Sequence, residues 1–188
     1  MRSPKLSGFT LFELMISITV LGILATVSLP NLSAMLQNNA GETVLNDVAR
    51  TMSMARASAV VQGHTITMCR SIDNKACNGE WHNGILVFLD RNGNRIVDTN
   101  DEIIHVTSFA NIPGTLKLSS FPSKQYLQFT PAGVINNQTG NFTWCPADHK
   151  PEQAQQLIFN ITGRVRFAID ADKDGIREGA DGNPLSCN

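Results

Sequence analysis

The feature that most constrains this chain is an apolar run near its N-terminus. It covers residues 9–29, directly after Gly8, and its only ionisable side chain is Glu13. A helix of 21 residues extends about 31 Å, close to the thickness of one bilayer core. Arg2 and Lys5 precede the run, and positive charge there is typical of a cytoplasmic N-terminus. The sequence therefore predicts a transmembrane and assembly helix at 9–30, with a soluble head at 31–188.

Glu13 needs an explanation, because an ionised carboxylate in hydrocarbon costs roughly 2.5 kcal/mol or more. No basic residue lies within the run to neutralise it. Cleavage after Gly8 would give Phe9 a free α-amine, which can pair with Glu13 of the same or a neighbouring chain. Small residues along the run allow such helices to approach closely; they are Ser17, Thr19, Gly22 and Ala25.

The segment Gly8-Phe9-Thr10-Leu11-Phe12-Glu13-Leu14 resembles the leader of type IV prepilins. An ordinary secretory signal is cut after its apolar region, whereas here the leader-like cleavage point precedes it. The resemblance implies removal of residues 1–8 by a prepilin peptidase, methylation of Phe9, and a role for Glu13 in filament assembly. A plain single-span anchor is the alternative, and it leaves Glu13 unexplained.

The cysteine count indicates two disulfides. Cys69, Cys77, Cys145 and Cys187 make an even number in a chain predicted to be exported, which allows three pairings. We favour Cys69–Cys77 and Cys145–Cys187, the second of which ties the tail to an upstream strand. A zinc site is the alternative, but there is no C-x₂-C pair and the four histidines are scattered.

Hydrophobic periodicity predicts an α+β head. Pro30 is expected to end or kink the first helix. Apolar residues then recur at steps of three and four up to about Gly63, and the period changes to two after His64. The predicted strands are Thr65–Ser71, Gly84–Asp90, Glu102–Phe109, Leu116–Ser120, Tyr126–Thr130, Asn141–Cys145, Gln156–Ile161 and Val165–Ile169. The sequence thus predicts a long helix packed on antiparallel sheet.

Several segments in this order resemble the FimT/GspH family of minor pilins and pseudopilins. They are A-R-A-S-A at 55–59, T-I-T-M-C at 65–69, W-H-N-G-I-L-V-F-L-D at 81–90 and Q-F-T-P-A-G at 128–133. The resemblance implies a type IV pilin-like fold, with other pilin subunits and the pilus assembly machinery as partners. No enzyme is expected, because no catalytic constellation or phosphate loop is evident in the sequence.

A candidate anion site lies at Gly163-Arg164-Val165-Arg166. The two arginines share one face of a strand, Gly163 supplies a tight turn, and guanidinium binds phosphate in a bidentate manner. The segment resembles the G-R-x-R element of FimT-type pilins, which implies DNA binding during natural transformation. The patch could be extended by further basic residues, namely Lys150, Lys173 and Arg177. The alternative interpretation is a solvated strand face.

An acidic segment near the C-terminus matches the start of a calcium loop, D-x-D-x-D-G. Its expected ligands are Asp170, Asp172, Asp174, Ile176 through its carbonyl group, and Asp181. Asp181 stands where the usual loop has a bidentate glutamate. An acidic turn in solvent is the alternative, and no other cofactor is indicated.

The resemblance to the FimT/GspH family, together with the arginine spacing, implies a minor pilin that binds DNA without sequence preference. Residues 31–188 carry 13 Lys and Arg against 15 Asp and Glu, so a DNA site has to be a local patch. The expected location is the inner membrane with a periplasmic head, and then the pilus at the cell surface. The alternative is a structural minor pilin, or a GspH-type pseudopilin of type II secretion, with protein partners only.

We expect Glu13→Ala to impair filament assembly, because the variant lacks the carboxylate that pairs with a neighbouring N-terminus. The head should remain folded, since Glu13 precedes it in the chain. Filament incorporation measured by immunoblotting of sheared pili, beside circular dichroism of the head, tests both statements. Normal incorporation of the variant would refute the assembly role.

Millimolar calcium should raise the melting temperature of the protein if the loop Asp170–Asp181 is a site, because a ligand that binds only the folded state stabilises it. Magnesium at the same concentration is the control. An unchanged melting temperature would contradict the hypothesis that this loop binds calcium.

Overall fold

One long helix and eight strands make up the part of the chain that the structure describes. The computed structural model describes residues 10–187, with the side chains of 10–26 and 39–187. Helix α1 is Leu11–Gln62. The strands are β1 (Ile66–Arg70), β2 (Gly84–Leu89), β3 (Glu102–Ser108), β4 (Thr115–Phe121), β5 (Tyr126–Phe129), β6 (Thr139–Cys145), β7 (Gln155–Phe159) and β8 (Val165–Phe167). The predicted fold class, a long helix with antiparallel sheet, is confirmed.

The chain divides into two compact units, residues 1–36 and 37–188, compared with a predicted boundary after residue 30. In the first unit, Thr10 and Glu13 form a reciprocal cap at the start of α1. The Thr10 N–H donates to Glu13 Oε2 at 2.9 Å, and the Glu13 N–H donates to Thr10 Oγ1 at 3.2 Å. The carboxylate therefore has a partner within its own chain.

Two predictions about the N-terminus fall largely outside the described residues. Gly8 and Phe9 precede them, and the predicted span 9–30 also includes side chains at 27–30 that are not described. Within the part of the chain that is described, no helix is both long and apolar enough to cross a membrane.

Pro30 does not end the helix, because α1 continues from Leu11 to Gln62. Of the two alternatives predicted for Pro30, the helix end was wrong, and a kink stays a prediction. A proline inside a helix removes one N–H donor and costs roughly 3 kcal/mol. The residues on both sides have a helical pattern, so one missing hydrogen bond does not separate the two stretches.

The head is organised as two antiparallel sheets that share one apolar core with α1. The first sheet has the strand order β3-β2-β1-β5, and the second has the order β4-β6-β7-β8. A helical stripe of fully buried side chains faces them from α1; its members are Val44, Leu45, Val48, Met52, Ala55 and Ala59. Aromatic side chains fill the centre, with Trp81 edge-on to Phe142 at 5.0 Å between ring centroids.

All eight predicted strands are present, with ends that shift by a few residues. The differences reach two residues at the start of β6 and at the ends of β7 and β8, and β8 ends at Phe167 rather than Ile169. Ile169 pairs instead with Glu178 in an isolated bridge. The chain therefore leaves the sheet to form the C-terminal loops.

A loop closes the outer face of the first sheet. The buried carboxylate of Asp90 accepts hydrogen bonds at Oδ2 from Thr67 Oγ1 (2.6 Å), Gln128 Nε2 (3.1 Å) and the Arg95 N–H (3.0 Å). Val97 packs over the same sheet beside Phe88. These contacts leave little of this face for a ligand.

The structure forms both disulfides that the sequence favours. Cys69–Cys77 closes a loop after β1, and Cys145–Cys187 joins the end of β6 to the C-terminal tail. The second bridge fixes a longer loop, with a sequence separation of 42 against 8. In the chain-entropy model, the longer loop gives the larger stabilisation.

Removal of the Cys145–Cys187 bridge should therefore destabilise the head more than removal of Cys69–Cys77. Paired serine substitutions are expected to lower the free energy of unfolding by up to about 4 and about 2.6 kcal/mol respectively. Urea unfolding of the two double variants measures this difference. Equal losses would contradict the loop-length argument, and no loss in either would show that the bridges do not stabilise the fold.

Candidate functional site

The turn between β7 and β8 holds two arginines at the edge of the second sheet. Asn160 organises this turn, because its Oδ1 accepts hydrogen bonds from the N–H groups of Thr162 and Arg164, both at 3.1 Å. The Thr162 hydroxyl donates to the same oxygen at 2.7 Å. Gly163 has a φ of 74°, a left-handed conformation that glycine adopts without strain. Sequence reasoning missed Asn160, although asparagine before a glycine turn is a recognised signal.

Strand register turns Arg166 away from the core. Val165 pairs with Phe159 and Arg166 pairs with Ile158. Phe159 is buried in the core, so the alternation along a strand places Arg166 on the outer face. Arg164 lies two residues earlier and on the same side. Both side chains are exposed, and they line one recess of about 280 Å³. We refer to Arg164 and Arg166 as the arginine pair.

The surroundings of the arginine pair are free of nearby strand carboxylates. The four strands of the second sheet contain no Asp or Glu. Across residues 10–187, the described ion pairs are Arg50–Asp47, Arg70–Glu80 and Lys150–Asp148. Among these described residues, no carboxylate forms an ion pair with either guanidinium of the arginine pair, so both can bind an anion.

Helix α1 brings a third arginine to this edge. A methyl group placed on Gly163 would lie 3.4 Å from Cδ of Arg56 and 3.7 Å from its Nε. Arg56 and Gly163 also line a shared recess of about 410 Å³. In the sequence, Arg56 stands out only as part of the segment A-R-A-S-A at 55–59. Its place in the site was not predicted, because a position on a helix does not show which strand edge the side chain meets. Arg56 and the arginine pair together are called the arginine site.

The other predicted basic residues lie elsewhere. Lys150 Nζ is 3.0 Å from Asp148 Oδ2, and this hydrogen bond holds the pKa of Asp148 below its usual range. Arg177 donates from Nη1 to the carbonyl oxygen of Ala154 at 3.2 Å. Lys173 lies within the acidic loop. None of the three lines the recess of the arginine pair, because the loops after β6 and β8 carry them to other parts of the surface.

The acidic loop brings carboxylates together, with one change from the predicted set. Oxygen atoms of Asp170, Asp172, Asp174 and Glu178 lie within 4.8 Å of one another. Asp181 is not in this group. Its Oδ2 accepts a hydrogen bond from Asn183 Nδ2 at 2.8 Å, which lowers the pKa of Asp181.

The bridge between Ile169 and Glu178 explains the change of ligand set, because it fixes Glu178 opposite the start of the acidic loop. Ile176 packs its side chain against the small apolar cluster around Ala168. Calcium binding at this loop stays a prediction.

The sequence matches two family models. The model described as "Type II transport protein GspH" matches residues 44–163. The model described as "Prokaryotic N-terminal methylation motif" matches residues 5–29. No curated protein sequence matches the chain.

Two solved structures are similar to this one. The type IV minor pilin FimU of Pseudomonas aeruginosa is 17% identical, with a TM-score of 0.52 over 80% of this chain and 96% of FimU. The minor pseudopilin EpsH of the Vibrio cholerae type 2 secretion system is 12% identical, with a TM-score of 0.45 over 68% of this chain and 94% of EpsH. The likeness to FimU shows a shared fold.

The family model covers more than half of the chain, from the buried part of α1 to the turn before β8. The methylation motif covers the segment with Gly8, Phe9 and Glu13. Together with the pilin-like fold, these matches show that the chain belongs to the GspH family of minor pilins and pseudopilins and carries an N-terminal methylation motif.

Proposed function

We propose that this protein is a minor pilin of a type IV pilus that binds DNA through the arginine site, for uptake in natural transformation. The observation that carries the proposal is the exposed arginine pair on a sheet edge whose strands have no carboxylate. Retraction of a filament that holds DNA would draw the DNA toward the cell.

The geometry of the arginine pair suits a phosphate backbone. The Cα atoms of residues i and i+2 on a strand lie about 7 Å apart, so each guanidinium can contact a different phosphate. The turn around Asn160 is held by three hydrogen bonds to one oxygen. Little conformational entropy is therefore lost at the backbone when DNA binds.

Binding of this kind should show little sequence preference. Phosphate contacts position a protein on DNA but carry no base information. Two or three contacts give a duplex salt dependence with a slope of roughly −1.8 to −2.7. Such weak binding suits a filament that presents many copies, or one copy that only has to hold DNA during retraction.

The N-terminal methylation motif and the two disulfides support the cellular setting of this proposal. The precursor would lie in the inner membrane with its head in the periplasm, where oxidising conditions maintain both bridges. A prepilin peptidase would remove the leader, and other pilin subunits and the assembly machinery would be the protein partners.

A second candidate function is that of a purely structural subunit, such as a pseudopilin of type II secretion. The match of residues 44–163 to the model named for the type II transport protein GspH favours it. In this role the arginine site would contact neighbouring subunits or solvent. DNA binding distinguishes the two candidates.

We expect the full chain in non-ionic detergent to bind a short DNA duplex at low salt, and Arg164→Gln/Arg166→Gln to abolish most of this binding. Each lost phosphate contact should also reduce the salt slope by about 0.9. Fluorescence anisotropy with a labelled duplex, repeated at several salt concentrations, measures both effects.

The matched control is Arg50→Gln/Lys75→Gln, which removes two exposed charges at other places on the head. It should bind as the unmodified protein does. Equal losses in the two double variants would show a general charge effect, and no binding by the unmodified protein at high micromolar concentration would favour the structural subunit.

A further inference from the structure

An exposed phenylalanine stands on the same sheet face as the arginine pair. Phe121 is 82% exposed, the largest exposure of any aromatic side chain in the described part of the head. Phe121 is the last residue of β4. Leu116 and Leu118 of the same strand face the core, so the alternation of side chains places Phe121 on the outer side. Water contact with so much aromatic surface is unfavourable, and the fold supplies no reason for it.

Phe121 forms one wall of a recess of about 360 Å³. Pro122 and Ile161 supply further apolar surface, and Ile161 is 44% exposed. The remaining lining residues are polar and uncharged: Asn137, Gln138 and Thr139. The recess therefore offers flat apolar surface beside amide and hydroxyl groups. We call it the Phe121 recess.

Gln138 in the lining has an unusual environment. The residue is 2% exposed, and neither Nε2 nor Oε1 has a hydrogen-bond partner among the described residues. Buried amides are normally paired, because an unpaired buried donor or acceptor is destabilising. An amide that offers one donor and one acceptor side by side matches the hydrogen-bonding edge of a nucleobase.

The Phe121 recess is close to the arginine pair. Ile161 in its wall follows Asn160, whose backbone N–H donates to the Arg164 carbonyl oxygen at 3.1 Å. Phe121 pairs with Thr139 on β6, and β7 and β8 follow in the sheet order. The distance from β4 to β8 is therefore three β-strand spacings, or about 14 Å. About four nucleotides of single-stranded DNA span this distance, at 3.4 Å per stacked nucleotide.

We propose that the Phe121 recess binds one unpaired nucleobase and so directs the arginine site toward single-stranded nucleic acid. The base stacks on Phe121, and Gln138 rotates toward the recess to bond the base edge. Arg164 and Arg166 bind the adjacent phosphates. In a duplex the bases are stacked and paired, so the recess stays unused. This inference rests on the proposed DNA-binding function.

The test compares single-stranded and duplex DNA of 12 nucleotides at low salt, using fluorescence anisotropy and the full chain in non-ionic detergent. The unmodified protein should bind the single strand more tightly. Phe121→Ala should weaken single-strand binding by roughly 5- to 150-fold, the range for one lost base–aromatic stack. Its duplex affinity should stay within about twofold, because phosphate contacts remain.

Gln138→Met tests the amide separately and keeps the length of the side chain. Single-strand affinity should fall, while the melting temperature stays the same or rises, since an unpaired buried amide has been removed. Phe167→Ala is the matched control. Phe167 of β8 pairs with buried Leu157 of β7, so its side chain faces the other side of the sheet, and Phe167→Ala should leave both affinities unchanged.

The outcomes separate this inference from the function on which it rests. If both DNA forms bind equally and Phe121→Ala changes neither, the inference is overturned and the DNA-binding function stands. If neither form binds the unmodified protein, both are overturned. If neither form binds and Phe121→Ala blocks incorporation into filaments, the Phe121 recess is a contact between subunits. Unchanged single-strand binding by Gln138→Met would overturn the role of the amide.

Discussion

The two four-stranded sheets of the head share a single helical partner, the face of α1 between Val44 and Ala59. Each sheet has one apolar face that has to be covered, and side chains from α1 and both sheets form one continuous core. At Gly41 the helix comes so close to the second sheet that a Cβ atom there would lie 2.6 Å from Cδ1 of Trp144. The helix therefore fixes which face of each sheet points outward.

The two outward faces differ, and this difference locates the candidate site. On the first sheet, the hydrogen bonds to Asp90 hold a loop over the strands. On the second sheet, the outer side chains of β4 and the turn before β8 remain exposed. The arginine pair and Phe121 lie on this open face, which makes it the natural surface for a ligand or a neighbouring subunit.

For the binding of an anion, the local distribution of charge on the head matters more than its net charge. The head is nearly neutral, but five of its acidic residues lie between positions 170 and 181, and the strands of the second sheet have none. A neutral head can therefore present a cationic edge to an anion. The same separation is compatible with a subunit contact in a filament, so binding experiments decide between the two.

The sequence by itself determined the family, the fold class and the eight strands, and it favoured the cysteine pairing that the structure forms among three possible ones. These follow from local signals: the periods of 3.6 and 2, the turn residues, and the leader motif around Gly8 and Glu13. It also identified the arginine pair, because spacing along one strand decides which side chains share a face. The expected helix end at Pro30 was wrong, since a local preference against helix was outweighed by the helical sequence on both sides.

Only the tertiary structure decided which distant residues complete the site. Arg56 meets Gly163 across more than 100 positions of sequence, and Gln138 lies beside Phe121 through the pairing of β4 with β6. The backbone bridge between Ile169 and Glu178 likewise decided that Glu178, and not Asp181, lies in the acidic cluster. Periodicity fixes the direction in which a side chain points, but contacts between elements depend on the order of the strands and on how the helix packs. These are properties of the whole core, and no short stretch of sequence contains them.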